Sequence, residues 1–119
     1  MGRHRIRGLY AITPDSDDTE GLARRVGSAL AGGAGLIQYR NKAADEHTRL
    51  TQARALLSLC REFGVPLIIN DHVDLALKIG ADGVHLGAED GSIAAARRML
   101  GTERILGVSC YNRLDLAQE

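Results

Sequence analysis

Short apolar strands alternating with amphipathic helices predict an α/β chain built on a parallel sheet with right-handed crossovers. Three observations carry that prediction. Apolar runs recur at Leu36-Ile37, Leu67-Ile68-Ile69, Gly83-Val84-His85-Leu86 and Ile105-Leu106-Gly107-Val108. Between them, apolar residues return at helical spacing. Each run also leads into polar residues: Gln38-Tyr39-Arg40-Asn41-Lys42, Asn70-Asp71, Glu89-Asp90 and Ser109. In a parallel sheet all such strand ends share one face, so residues distant in sequence converge there.

The elements follow in order. A first strand spans about residues 8–13, ended by Pro14 and the Asp15-Ser16-Asp17-Asp18 cluster, which supplies N-cap candidates. Leu22, Val26, Ala29 and Leu30 mark a helix that Gly32-Gly33 closes. A second strand covers about 35–40, and Asp45 caps a helix with Leu50, Ala53, Leu57 and Cys60 on its apolar face, stopped by Gly64. A third strand, 66–70, begins at Pro66, a tolerated position. A short helix with Val73, Ala76 and Leu77 ends at Gly80, and a fourth strand covers about 82–86. Ser92 caps a helix with Ile93, Ala96 and Leu100, closed by Gly101; a fifth strand spans 104–109, and Asn112 begins a helix cut short at Glu119.

The 119 residues, 45% hydrophobic and 25% charged, predict one globular domain with no linker. Zero formal net charge gives no global attraction to nucleic acid or an anionic membrane. No apolar run approaches the roughly 20 residues of a spanning helix. Arg3, Arg5 and Arg7 precede no signal core, so the expected location is cytoplasmic. Cys60 reads as core, and Cys110 has no convincing His or Asn partner for nucleophilic work.

Five strands with four complete helices fit either an open doubly wound sheet or part of a (β/α)8 barrel. A doubly wound nucleotide binder usually carries a glycine-rich turn after its first strand. Here that turn reads Thr13-Pro14-Asp15-Ser16-Asp17, acidic and without glycine, which disfavours it.

Gln38, Arg40 and Lys42 recur at a spacing of two, so on an extended segment they point the same way. At a strand end they form a fork suited to phosphate oxygens; a solvated loop is the equal alternative. Asp71 and Asp90 end neighbouring strands, and two carboxylates aimed into one mouth favour a shared cation, with Mg²⁺ the natural candidate. Alone, Asp71 reads as a helix N-cap and Asp90 as a turn residue. Asn70 and Ser109 are hydrogen-bonding groups or local caps, and Tyr10 lines the mouth or packs. His85 alternates away from Val84 and Leu86 and reads as a satisfied, buried or helix-facing histidine. His4, His47 and His72 lack metal-ligand spacing, and no P-loop, zinc motif or Gly-x-Ser-x-Gly elbow is present.

With these residues in place, the chain resembles the thiamine phosphate synthase (thiamine-phosphate pyrophosphorylase) family. The segments are Leu9-Tyr10-Ala11-Ile12-Thr13, Gln38-Tyr39-Arg40-Asn41-Lys42, Ile68-Ile69-Asn70-Asp71-His72, Ala81-Asp82-Gly83-Val84-His85-Leu86-Gly87 and Leu106-Gly107-Val108-Ser109-Cys110-Tyr111. The resemblance implies a (β/α)8 TIM barrel and a transferase joining hydroxymethylpyrimidine diphosphate to a thiazole phosphate, with release of pyrophosphate. It implies that Gln38, Tyr39, Arg40, Asn41, Lys42, Asn70 and Ser109 bind the pyrimidine diphosphate, that Asp71 and Asp90 bind Mg²⁺, and that no protein nucleophile is needed. A related thiazole tautomerase shares the fold without the coupling reaction, and the intact fork with both aspartates favours the synthase.

A complete barrel needs roughly 200–250 residues. The 119 residues are therefore expected to be the N-terminal half, truncated within the fifth helix. The resemblance assigns a further lysine and the thiazole-phosphate contacts to the other half. A half-barrel exposes strand edges and an apolar inner face, so self-association is expected; a non-catalytic half-barrel assembly module is the alternative reading.

Overall fold

Strands and helices alternate along the chain in the computed structural model, which describes residues 9–87, 97, 98, 101 and 105–108. The elements are β1 (Tyr10–Ile12), α1 (Thr19–Ala31), β2 (Leu36–Tyr39), α2 (Glu46–Phe63), β3 (Leu67–Asn70), α3 (Val73–Ile79), β4 (Gly83–Leu86) and β5 (Ile105–Val108). All adjacent pairs are parallel, and the sheet order follows the chain, β1-β2-β3-β4-β5. A doubly wound sheet reverses its strand order; this one runs in a single direction.

Local chemistry sets the helix ends. The Asp18 carboxylate accepts the Gly21 N–H at 3.0 Å to open α1, and Asp45 accepts the Thr48 N–H at 2.8 Å to open α2. Gly64 and Gly80 close α2 and α3 in the left-handed region, at φ 65° and 75°, where a Cβ is costly. Arg97 and Arg98 are helical, and Gly101, at φ 75°, donates its N–H to the Arg97 carbonyl. Ser92 and Asn112 lie outside the described residues.

The helices cover one face of the sheet. Ile37, Tyr39, Leu67, Ile69, Val84 and Leu86 turn to that side and join Leu22, Val26, Leu30, Leu56, Cys60 and Ala76 in one core. Cys60 is fully buried, and desolvation pushes its thiol up to about 11, so it stays protonated and inert. The opposite face is uncovered at its β1 edge: Tyr10 and Ile12 are 62% and 59% exposed. His85 lies on this open side, because Val84 and Leu86 take the helix-facing positions; the helix-facing alternative is thereby corrected.

The α2 stripe differs from the sequence expectation. Gln52, Ala53, Leu56 and Cys60 are buried, while Leu50 and Leu57 are only partly so. A glutamine takes a core position there because both polar atoms of its amide find partners. At the N-terminal end of the sheet, Asp82 Oδ2 accepts both Arg61 Nη1 and the Leu67 N–H, each at 2.8 Å, joining α2 to the start of β3.

Candidate functional site

Strand alternation divides residues 38–42 between two environments. Tyr39 and Asn41 turn to the helix layer, where both are buried. Tyr39 Oη donates to Gln52 Oε1 at 2.6 Å. Asn41 Nδ2 donates to the same oxygen at 2.9 Å and to the Ser16 carbonyl at 2.7 Å. Gln52 Nε2 donates to Ser16 as well, at 2.9 Å. Asn41 Oδ1 accepts the N–H groups of Ala43 and Ala44, both at 3.2 Å, and so bends the chain toward α2. Burial raises the Tyr39 phenol above its usual range, which keeps it a donor. Tyr39 and Asn41, expected among the diphosphate contacts, thus have their polar atoms taken inside the protein. They shape the segment from below.

Gln38 and Arg40 fall on the open side. Gln38 is in register with Ile12 and Ile68. Arg40 directly follows β2, and Asn70, the last residue of β3, pairs with His85. Among the described residues, the side chains of Gln38, Arg40 and Asn70 form no hydrogen bond or ion pair. The backbone of residues 38–42 is held by the β1–α1 loop. Thr13 Oγ1 accepts the Arg40 N–H at 3.0 Å and donates to the Arg40 carbonyl at 3.2 Å. Asp15 Oδ1 accepts the Lys42 N–H at 3.1 Å, and the Lys42 side chain is exposed.

Asp71 follows β3 at φ 69°, the one described non-glycine residue with positive φ. Its N–H donates to the His85 carbonyl at 2.8 Å, and the His72 N–H donates to the Asn70 carbonyl at 2.9 Å. This i to i+2 bond around a positive φ is a γ-turn of the strained kind. The N-cap alternative for Asp71 is corrected: His72 occupies the N-cap position of α3 and makes no side-chain cap bond. The Asp71 carboxylate is instead exposed at the C-terminal edge of the sheet. Burial, the larger cause, lowers His85 below its usual value, while Asp71 pulls it back up. His72 is lowered by burial first and by the Arg49 charge second.

A groove of about 860 Å³ opens between the starts of α2 and α3, lined by Glu46, Arg49, Asp71, His72 and Lys78 among others. It is formed by the helix layer, and Asp71 borders it while Gln38, Arg40 and Lys42 do not. Arg49 is tied there by Nη2 to the Ala44 carbonyl at 2.7 Å.

Among the described residues, no group of three or more His, Cys, Asp or Glu side chains is arranged to hold a metal. The donor chemistry nevertheless suits Mg²⁺, which commonly takes one or two carboxylates and completes its shell with water and phosphate oxygens. Asp71 is one such carboxylate; Asp90 and Ser109 lie outside the described residues.

Sequence reasoning missed Gln52, Thr13 and Arg49. Only Gln52 had a signal: it stands four and eight residues before Leu56 and Cys60, on the buried stripe.

The family model for thiamine monophosphate synthase matches residues 9–119. Thiamine-phosphate synthase of Nitrosospira multiformis is 59% identical over 117 residues, spanning 98% of this chain and 50% of that protein. The enzyme of the same name from Methylobacillus flagellatus is 57% identical over 122 residues, 100% of this chain and 58% of its own. Among solved structures, thiamine phosphate pyrophosphorylase from Pyrococcus furiosus superposes with a TM-score of 0.74 at 36% identity, over 87% of this chain and 50% of that one. The chain thus spans about half the length of these relatives. On these matches and the strand-end arrangement above, the chain belongs to the thiamine monophosphate synthase family.

Proposed function

We propose that this chain supplies the diphosphate-binding half of a thiamine phosphate synthase. The reaction joins hydroxymethylpyrimidine diphosphate to a thiazole phosphate and releases pyrophosphate. The observation that carries this reading is the split of residues 38–42: among the described residues the side chains of Gln38 and Arg40 form no hydrogen bond or ion pair, with Gln38 in register with Ile68, over a buried, hydrogen-bonded support.

The difficult step is departure of the diphosphate. The bond from the pyrimidine methylene carbon to the diphosphate oxygen breaks, and its electron pair leaves with the diphosphate. The thiazole nitrogen then forms the new bond to that carbon. Arg40 grips phosphate oxygens with its planar fork and Lys42 adds a mobile point charge, so both favour the charge that grows on the leaving group. Gln38 and Asn70 donate neutral hydrogen bonds that orient the substrate. Ser109 joins them in this reading. Asp71 and Asp90 would hold Mg²⁺, which when bound neutralises charge on the leaving diphosphate. Tyr39 and Asn41 act from beneath, by fixing the segment. No protein nucleophile enters.

The activity would belong to a complete (β/α)8 barrel in the cytoplasm, to which this parallel sheet contributes its strands. The thiazole phosphate would be held by parts of the barrel outside this sheet. The exposed Tyr10 and Ile12 support the further reading that the 119-residue chain by itself self-associates through this face.

The test is thermal unfolding with Mg²⁺ and inorganic diphosphate. Both together raise the Tm of the wild-type chain by ligand linkage. Asp71→Asn and Arg40→Ala each remove that rise. If both variants keep it, the site assignment is wrong. Thiamine phosphate formed without any need for metal, in a complete barrel carrying this half, would instead favour a different chemistry at the same face.

A further inference from the structure

Gln52 lies on no loop and touches no open surface, yet it holds the proposed site together. It is fully buried on α2, in a stripe otherwise filled by Ala53, Leu56 and Cys60. A buried amide is costly unless its donors and acceptors are matched, and packing alone would be served better by leucine or methionine. Here both polar atoms of the amide have partners. Gln52 Oε1 takes Tyr39 Oη and Asn41 Nδ2, and Nε2 gives to the Ser16 carbonyl.

The amide orientations support one another. The Ser16 carbonyl can only accept, so the nitrogens of both Gln52 and Asn41 must face it. The remaining Gln52 oxygen then meets Tyr39 Oη and the second Asn41 N–H. Asn41 in turn uses both amide protons, while its oxygen takes Ala43 and Ala44. Every atom that could slip has its partner.

The residues held are the alternate ones. Tyr39 separates Gln38 from Arg40, and Asn41 separates Arg40 from Lys42. One buried amide therefore pins the segment at both intervening positions and ties it to the β1–α1 loop at Ser16. From this geometry we infer that Gln52 is a positioning residue for the anion fork, acting through Tyr39 and Asn41 on the placement of Arg40 and Lys42. The inference rests on the proposed diphosphate site, because it says how that site is kept rigid before ligand arrives.

Inorganic diphosphate titrated calorimetrically into the 119-residue chain with Mg²⁺ present tests it, alongside amide hydrogen exchange. Gln52→Met keeps the length of the side chain and removes its hydrogen bonding. It should weaken diphosphate binding about tenfold, the scale of lost support behind a ligating group. Exchange at the Arg40, Ala43 and Ala44 amides should accelerate, while the Leu67 amide, held by Asp82 at the other end of the sheet, stays protected. Adding Gln52→Met to Arg40→Ala/Lys42→Ala should bring no further loss. Tyr39→Phe removes one of the bonds without touching α2 and should weaken binding about threefold; it carries the test if Gln52→Met does not fold. Wild-type affinity in Gln52→Met, or in Tyr39→Phe where only that variant folds, overturns the inference, as does exchange that accelerates evenly over the sheet. Should the wild type not bind diphosphate, or Arg40→Ala bind it undiminished, the diphosphate site itself falls and takes the inference with it. Undiminished binding in Gln52→Met beside a clear loss in Arg40→Ala removes only the role of Gln52.

Discussion

Two aspartates at opposite ends of the sheet have opposite fates. Asp82, at the N-terminal end, is 8% exposed in its side chain and is clasped by Arg61 and the Leu67 N–H. Asp71, at the C-terminal end, is exposed, sits on a left-handed backbone, and makes no side-chain hydrogen bond or ion pair with another described residue. The same carboxylate serves stability where its oxygens are taken, and is available for a ligand where they are free. This division between the two ends of the strands is the one expected of a parallel α/β wall.

The contrast can be broken in three ways. The largest effect is expected at Asp82. Asp82→Ala leaves the buried Leu67 N–H and one side of Arg61 unpaired, and should cost about 3 kcal/mol in chemical unfolding. A loss under about 0.5 kcal/mol, the scale of an ordinary surface change, would mean that the clasp is incidental. The second effect has the opposite sign. Asp71→Gly relieves a positive φ, so the chain should become more stable by about 0.5–1 kcal/mol even as it loses its response to Mg²⁺ and diphosphate. Destabilisation in that variant would mean that the Asp71 side chain supports the fold.

The smallest effect is electrostatic. Burial holds His85 below the usual 6.5, and Asp71 opposes that fall. The depressed imidazole stays neutral at pH 7, and its contribution to stability is present above the unfolded value and lost as pH falls through the folded one. An NMR titration should therefore place the His85 midpoint below 6.5, and Asp71→Asn should lower it further. An unchanged midpoint in the variant would separate the two groups.

Much of this was legible in the residues themselves. Asp18 and Asp45 cap helices, and Gly64 and Gly80 stop them, because a cap needs only a short side chain or a missing Cβ within one turn of chain. The pairing of Gln38 with Arg40 on one side followed from period-two alternation. Gln52 was not read, since glutamine on a helix is ordinarily a surface residue and its partners lie 11, 13 and 36 positions away. The buried partners of Tyr39 and Asn41 were hidden for the same reason, since they lie 11, 13 and 25 positions away.

The amino-acid order alone determined the succession of the described strands and helices, the caps of α1 and α2, and the set of polar residues at strand ends. Each depends on neighbours within a few positions. Only the tertiary structure decided which side of the sheet the helices cover, that Asp71 leaves its strand in a γ-turn instead of capping α3, and that a buried amide holds the fork from behind. Those outcomes depend on contacts between distant segments, where burial makes an unmatched polar group expensive and so selects one arrangement.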